Sequence, residues 1–197
     1  DYSENNISVL EGLEPVRVRP GMYIGSTSRK GLNHLIYEIV DNSVDEHLAG
    51  YCDTIHVTLE KDGSCTVEDN GRGIPVGNHK FGIPAERVVF TTLHAGGKFD
   101  NNAYKTSGGL HGVGSSVVNA LSVYMDVEIS IDGNIYHDHF ERGKATEELI
   151  MNMLPVIGKT KKTGTKINFL PDPEIFENVI FKEDEVKSRL HETAYLN

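Results

Sequence analysis

At 197 residues the chain fits a single domain, long enough to remove roughly 70% of its unfolded surface from water. A composition of 38% hydrophobic and 24% charged residues is globular, and no apolar run approaches the roughly 20 residues that span a bilayer, so no membrane role is expected. The 29 acidic residues outnumber the 19 basic ones, which excludes a domain that grips duplex DNA by itself with clustered Lys and Arg.

Residues 1–7 are polar and unpatterned and read as an arm, followed by one domain over residues 8–197. Ser8 is placed to cap a short helix running to Arg19, stopped by Pro20-Gly21. Between Gly31 and Gly50, apolar Leu32, Leu35, Ile36, Ile39, Val40 and Val44 recur at three- and four-residue steps, which predicts an amphipathic helix. Glu38, Asn42 and Asp45 share a second face of it. Such oxygens suit a hard cation that keeps several waters, and a carboxylate beside a phosphate can deprotonate a water; an ordinary solvated face is the plain alternative. Asp41 and Glu46 flank the stripe and are expected to be solvated.

The period then changes to two. Residues 54–60 and 65–68 predict strands joined at Lys61-Asp62-Gly63. Asp69 closes the second strand and opens a glycine-rich loop over 69–82. Its carboxylate either accepts from an exocyclic amine, such as that of adenine, or starts an Asx-turn, and local sequence leaves both open. Helices are predicted over 84–94, 113–121 and 182–196. A hairpin turns at Asp132-Gly133 between strands 127–131 and 135–140, and a last strand covers 165–170. This order predicts an α+β fold, a two-layer sandwich of a mixed, mostly antiparallel sheet with helices on one face. The basic runs 17–19 and 159–162 are expected to be solvated. With only Cys52 and Cys65 and no basic-then-apolar leader, a reduced, cytoplasmic setting is expected.

Glycines gather at Asp69-Asn70-Gly71-Arg72-Gly73, Ala95-Gly96-Gly97-Lys98 and Gly108-Gly109-Leu110-His111-Gly112-Val113-Gly114. The last runs into a predicted helix, whose N-terminal amides make a seat for phosphate, and Lys98 and Lys105 flank it as point charges. Neither G-x-x-x-x-G-K-[ST] nor a strand followed by G-x-G-x-x-G occurs, which removes the P-loop and dinucleotide-binding classes.

Glu38-Ile39-Val40-Asp41-Asn42-Ser43-Val44-Asp45-Glu46, Asp69-Asn70-Gly71-Arg72-Gly73-Ile74-Pro75, the 108–114 run and Thr163-Gly164-Thr165 resemble, in order, the motifs of the GHKL ATPase superfamily, whose Bergerat-type fold serves gyrase, heat-shock chaperones, histidine kinases and MutL. Within it the resemblance is strongest to the B-type subunits of bacterial type II DNA topoisomerases, and it spans the whole chain. Residues 53–76 lean toward gyrase; 104–107 and 159–162 lean toward topoisomerase IV. The resemblance implies an ATP-hydrolysing isomerase subunit with ATP and Mg²⁺ as cofactors. It assigns Glu38 as general base and Asn42 as metal ligand. It assigns Asp69, Thr165, Gly73, Ile74 and Pro75 to the purine, with Asp45, Arg72 and Tyr104 near the nucleotide. Gly97, Lys98, Lys105, Gly109, Leu110, His111, Gly112, Val113 and Gly114 fall to the phosphates. Tyr2 belongs to an arm that reaches a partner's nucleotide during ATP-dependent homodimerisation. The partners implied are a gyrase A-type subunit in an A2B2 heterotetramer, DNA through other domains, and ATP-competitive inhibitors. Ile131 stands where many members have an arginine that contacts aminocoumarins. Members continue into a transducer domain that supplies a lysine to the γ-phosphate. This chain alone is therefore expected to bind nucleotide but to hydrolyse it slowly, if at all, and a nucleotide-gated dimerisation module without catalysis is the alternative.

Overall fold

The computed structural model describes residues 12–79, 82–93 and 114–196. Helix α1, Glu14–Val18, carries Pro15 in its first turn, where a missing N–H costs nothing. A second one-turn helix, α2, Gly21–Ile24, follows at once. The helix expected to run to Arg19 thus ends a residue sooner. Pro20-Gly21 starts a new turn instead of only stopping the old one, because the fixed φ of proline suits a helix start. The expected Ser8 cap lies outside the described residues.

Helix α3, Arg29–Leu48, is the long helix predicted, and Leu32, Leu35, Ile36, Ile39, Val40 and Val44 of its apolar stripe are all buried. Strands β1, Ile55–Leu59, and β2, Cys65–Asp69, form the first hairpin. Helix α4, Ala85–Thr91, and helix α5, Gly114–Ala120, precede the long hairpin of β3, Ser122–Ile131, and β4, Asn134–Glu141. Short strands β5, Lys144–Ala145, and β6, Val156–Lys159, border β4; strand β7, Gly164–Pro171, and helix α6, Glu183–Leu196, close the chain.

The sheet runs β1-β2-β7-β3-β4-β5, with β6 also on β4, and every pairing among the described residues is antiparallel. The last strand in the chain, β7, is inserted between β2 and β3, and this brings residues distant in sequence into register. Three cross-strand rows share one face: Leu59-Cys65-Phe169-Met125-Phe140, Val57-Val67-Ile167-Val127-Asp138 and Ile55-Asp69-Thr165-Ile129-Tyr136. Buried members of these rows share one core with the apolar stripe of α3 and with Val117, Val118, Ala120 and Leu121. The helices therefore cover this face, and Asp69 and Thr165 interrupt it with polar groups at its end, as Asp138 does on β4.

The opposite face is polar. There Asp126 accepts from His139 Nδ1 at 2.7 Å and His137 Nε2 at 3.1 Å, while Glu141 and Glu147 take the second nitrogens of the two rings. Burial pulls the His139 pKa down, but the Asp126 and Glu141 contacts outweigh it and leave the pKa raised. A raised histidine pKa contributes stability that is present below the unfolded value and lost as pH rises through the folded one. His139→Gln is therefore expected to flatten the decline of Tm across and above neutral pH; an unchanged Tm–pH curve would remove the imidazolium from the stability of this face.

Among the described residues no helix is long and apolar enough to cross a membrane.

Candidate active site

A cavity of about 420 Å³ opens between α3, the Asp69 end of the sheet and the loop after β2. Asp69 stands on its wall. Ser43 of α3 donates its hydroxyl to Oδ2 at 2.5 Å, and the amides of Gly71 and Thr165 donate to Oδ1 at 2.9 and 3.3 Å. The Gly71 contact is an Asx-turn, the second of the two local readings of Asp69, and the same carboxylate also lines the cavity. A carboxylate offers about four acceptor positions, so three donors leave about one for a ligand. Burial raises the Asp69 pKa, and the three hydrogen bonds oppose it only in part.

Beyond Asp69 the wall is shaped by the 73–75 turn. Gly73 has φ +87°, and a Cβ there would meet Ser130 O at 3.0 Å and Ile129 Cγ2 at 3.2 Å, so the backbone lies flat on β3 only as glycine. The Ile74 amide donates to Thr165 Oγ1 at 3.2 Å, which ties this turn to β7. Ile74, Pro75, Ile131, Val67, Ile167, Ile39 and Val89 supply a largely apolar lining, suited to a planar heterocycle with one polar anchor. At the rim Arg72 pairs with Glu46, Nη2 to Oε1 at 2.6 Å, and lies over the Tyr51 ring at 3.9 Å. The expectation that Glu46 is solvated fails. It lines the cavity instead, because the 69–76 loop folds back over α3 and brings Arg72 and its own amide, 2.8 Å away, onto that carboxylate. Burial raises the Glu46 pKa, but the Arg72 contacts prevail and hold it below its ordinary value.

Asn42 and Asp45, one residue before and two after Asp69's partner Ser43 on α3, line the same cavity. Asn42 Nδ2 donates to Ser115 Oγ in the first turn of α5, and Asn42 Oδ1 has no donor among the described residues. Both Asp45 oxygens are shielded from solvent and meet no hydrogen-bond partner among the described residues. Glu38 sits one turn back on α3, against the start of α5, where a Cβ on Gly114 would overlap its carboxylate. His34 Nε2 holds Glu38 Oε1 at 2.8 Å, and that contact raises the His34 pKa. Sequence reasoning missed His34, Ser43 and Ser115. His34 carried a signal, its i,i+4 spacing to Glu38; the other two depend on tertiary contacts.

The structure thus gathers Asn42, Asp45, Asp69, Arg72, Gly73, Ile74, Pro75 and Thr165 around one cavity, with Glu38 and Gly114 touching beside it. Tyr2, Gly97, Lys98, Tyr104, Lys105, Gly109, Leu110, His111, Gly112 and Val113 lie outside the described residues.

A largely apolar cavity of about 420 Å³ with an acidic anchor, beside a carboxylate that faces a helix start, points to a nucleotide-binding class, and comparison with known proteins agrees. Residues 27–175 match the family model described as histidine kinase-, DNA gyrase B- and HSP90-like ATPase, and the chain belongs to that family. It is 59% identical over its whole length to the B subunit of DNA topoisomerase 4 from Staphylococcus aureus (strain MW2) and 58% to that of strain Mu50 / ATCC 700699; it spans 29% of the length of either. Its fold is similar to the 43K ATPase domain of Thermus thermophilus gyrase B, solved in complex with an aminocoumarin. That likeness has a TM-score of 0.82 and 48% identity, and covers 96% of this chain and 47% of the other. Membership of this ATPase family implies ATP binding.

Proposed function

We propose that residues 8–197 are the ATP-binding and ATP-hydrolysing domain, and residues 1–7 the dimerisation arm, of a type II DNA topoisomerase B-type subunit. The observation that carries this reading is Asp69, held by three donors with about one acceptor position left, at the end of an apolar cavity that also contains Asn42. Adenine's exocyclic amine takes that position, with Thr165 beside it and Gly73, Ile74 and Pro75 against the ring. Arg72 and its partner Glu46 close the rim. The phosphates run toward Asn42 and the start of α5, where Gly114 ends the segment that contributes Gly97, Lys98, Lys105, Gly109, Leu110, His111, Gly112 and Val113. Tyr104 lies near the adenosine and Tyr2 on a partner's nucleotide.

The residues fit Mg²⁺. Among the described residues no cluster of three or more His, Cys, Asp and Glu would hold a metal alone, and Mg²⁺ takes few protein ligands. Asn42 Oδ1 is free to ligate, and the unpaired Asp45 carboxylate suits a water of the hydrated ion. When bound, the cation neutralises phosphate charge. Glu38, oriented by His34, accepts a proton from a water; the resulting oxygen bonds to the γ-phosphorus as the bond to ADP breaks. Calorimetry with ATP and a phosphate-release assay test this reading; no nucleotide binding by the folded chain would refute it.

Ser115 gives a separate prediction. Ser115→Ala frees the Asn42 amide to rotate, and the loss of one hydrogen bond, about 1 kcal/mol, weakens Mg²⁺-dependent ATP binding about fivefold. Affinity measured in EDTA is expected to stay as it was. Equal loss with and without Mg²⁺ would mean that Ser115 only supports the fold.

In the whole protein we place this domain in a cytoplasmic A2B2 enzyme with a gyrase A-type subunit, DNA being engaged elsewhere and ATP closing a homodimer through the arm. Topoisomerase IV is the second reading, favoured by the 59% identity to the Staphylococcus aureus protein. Negative supercoiling by the reconstituted enzyme supports gyrase; efficient decatenation without it supports topoisomerase IV. ATP-competitive inhibitors belong in the same cavity, and Ile131 on its wall makes aminocoumarins weak ligands.

A further inference from the structure

Away from the proposed catalytic groups, the inner face of β4 buries an unusual set of charges against α4. Asp138 is fully buried and takes three donors, which leaves about one acceptor position: Arg87 Nη2 donates to Oδ1 at 2.8 Å, Arg87 Nε to Oδ2 at 3.1 Å, and the His139 amide to Oδ1 at 2.9 Å. Arg87 also donates to the carbonyl of Glu147 at 2.8 Å. Next to Arg87 in sequence, Glu86 is 0% exposed, and no donor among the described residues reaches either of its oxygens. Its polar neighbour is Asp138, another carboxylate. Helix α5, packed on α4, brings no ionisable residue; β5 brings only the exposed Lys144; and the Glu147 carboxylate is turned to His137 at 2.5 Å. One guanidinium therefore faces two carboxylates out of water.

We infer that Glu86 is carried as a neutral carboxylic acid, and that its proton is what lets α4 close on β4. An unpaired carboxylate in a dry site neutralises itself rather than remain charged. Burial first, then the Asp138 charge, hold the Glu86 carboxyl well above the ordinary range, and Arg87 opposes them weakly. The proton removes the second negative charge and supplies an O–H that Asp138 can accept. The joint bears on the cavity, because α4 presents Val89 to its wall and is pinned on its other side by Asn119, which donates to Phe90 O at 2.9 Å. Loss of the proton would push Glu86 away from Asp138 and loosen the helix that carries this wall.

Glu86→Gln, which keeps the shape and cannot ionise, tests the inference without nucleotide, so the outcome is independent of the ATP reading. The folded chain holds one proton more than the unfolded chain above the ordinary glutamate pKa. The equilibrium stability of the Gln variant relative to the parent should therefore rise up to tenfold per pH unit from about pH 5 until the folded group titrates. Groups common to both chains cancel in this difference. A variant less stable than the parent near neutral pH, with the gap closing on acidification, would overturn the inference, since an ionised Glu86 held by Arg87 behaves that way. The carboxyl ¹³C shift of Glu86 in the parent chain gives a reading that requires no variant to fold: a protonated signal at pH 7 is expected, and an ionised one overturns the proposal.

Discussion

Glu38→Ala is expected to abolish ATP turnover, lowering the rate of phosphate release by about 10²–10⁴-fold, the usual contribution of a positioned general base. ATP affinity is expected to survive. Glu38 lies outside the cavity lining and contributes no contact to the purine wall. It stands instead against the start of α5, where position 114 admits it only as glycine. The companion variant His34→Ala should fall between parent and Glu38→Ala, because it leaves the base in place and removes the 2.8 Å contact that fixes its orientation. The same contact makes turnover pH-sensitive. Hydrogen bonding to Glu38 raises the His34 pKa, so His34 gains its proton at a higher pH than a free histidine would, and its contact with the base changes as it does. Single-turnover assays separate the steps. Phosphate release that persists in Glu38→Ala would assign the base elsewhere, and loss of nucleotide binding would make Glu38 a binding residue.

What could be read before folding followed from periodicity and turn chemistry. The α3 stripe, the Lys61-Asp62-Gly63 and Asp132-Gly133 hairpins and the strand through Thr165 all carry local signals strong enough to survive tertiary packing. Strand β6 carries none: Val156-Ile157-Gly158-Lys159 neither alternates nor meets a turn, and it pairs only because β4 offers it an edge. The site shows the same division. Glu38, Asn42 and Asp45 share a helix face by spacing alone, whereas the Asp69–Thr165 pair exists because β7 enters the sheet beside β2 across almost a hundred residues of chain. Glu46 shows the cost of reasoning on one element at a time. On an isolated α3 it belongs with the solvated residues, and only the returning loop with Arg72 makes it part of the wall.

The Asp69–Thr165 pairing carries the second large effect. Asp69→Ala is expected to weaken ATP binding by about 1–3 kcal/mol, roughly five- to 150-fold, since the adenine amine would then be buried without an acceptor. Ser43 and the Gly71 and Thr165 amides would lose theirs at the same time, so part of the loss should appear as a lower Tm without nucleotide. Asp69→Asn separates the two effects. It preserves the side-chain volume but turns one acceptor into a donor, which faces either the Ser43 hydroxyl or the incoming amine and cannot satisfy both roles. Acidification offers a third route to the same state. Burial raises the Asp69 pKa, so the carboxylate needed to receive the amine is lost at a higher pH than an ordinary aspartate would allow. ATP affinity of the parent chain should fall as that proton binds, and Asp69→Ala, already lacking the acceptor, should lose this part of the pH dependence. Calorimetric titrations of both chains from neutral to mildly acidic pH decide it: equal affinities, or parallel pH profiles, would move the purine away from Asp69 and take the proposed orientation of the nucleotide with it.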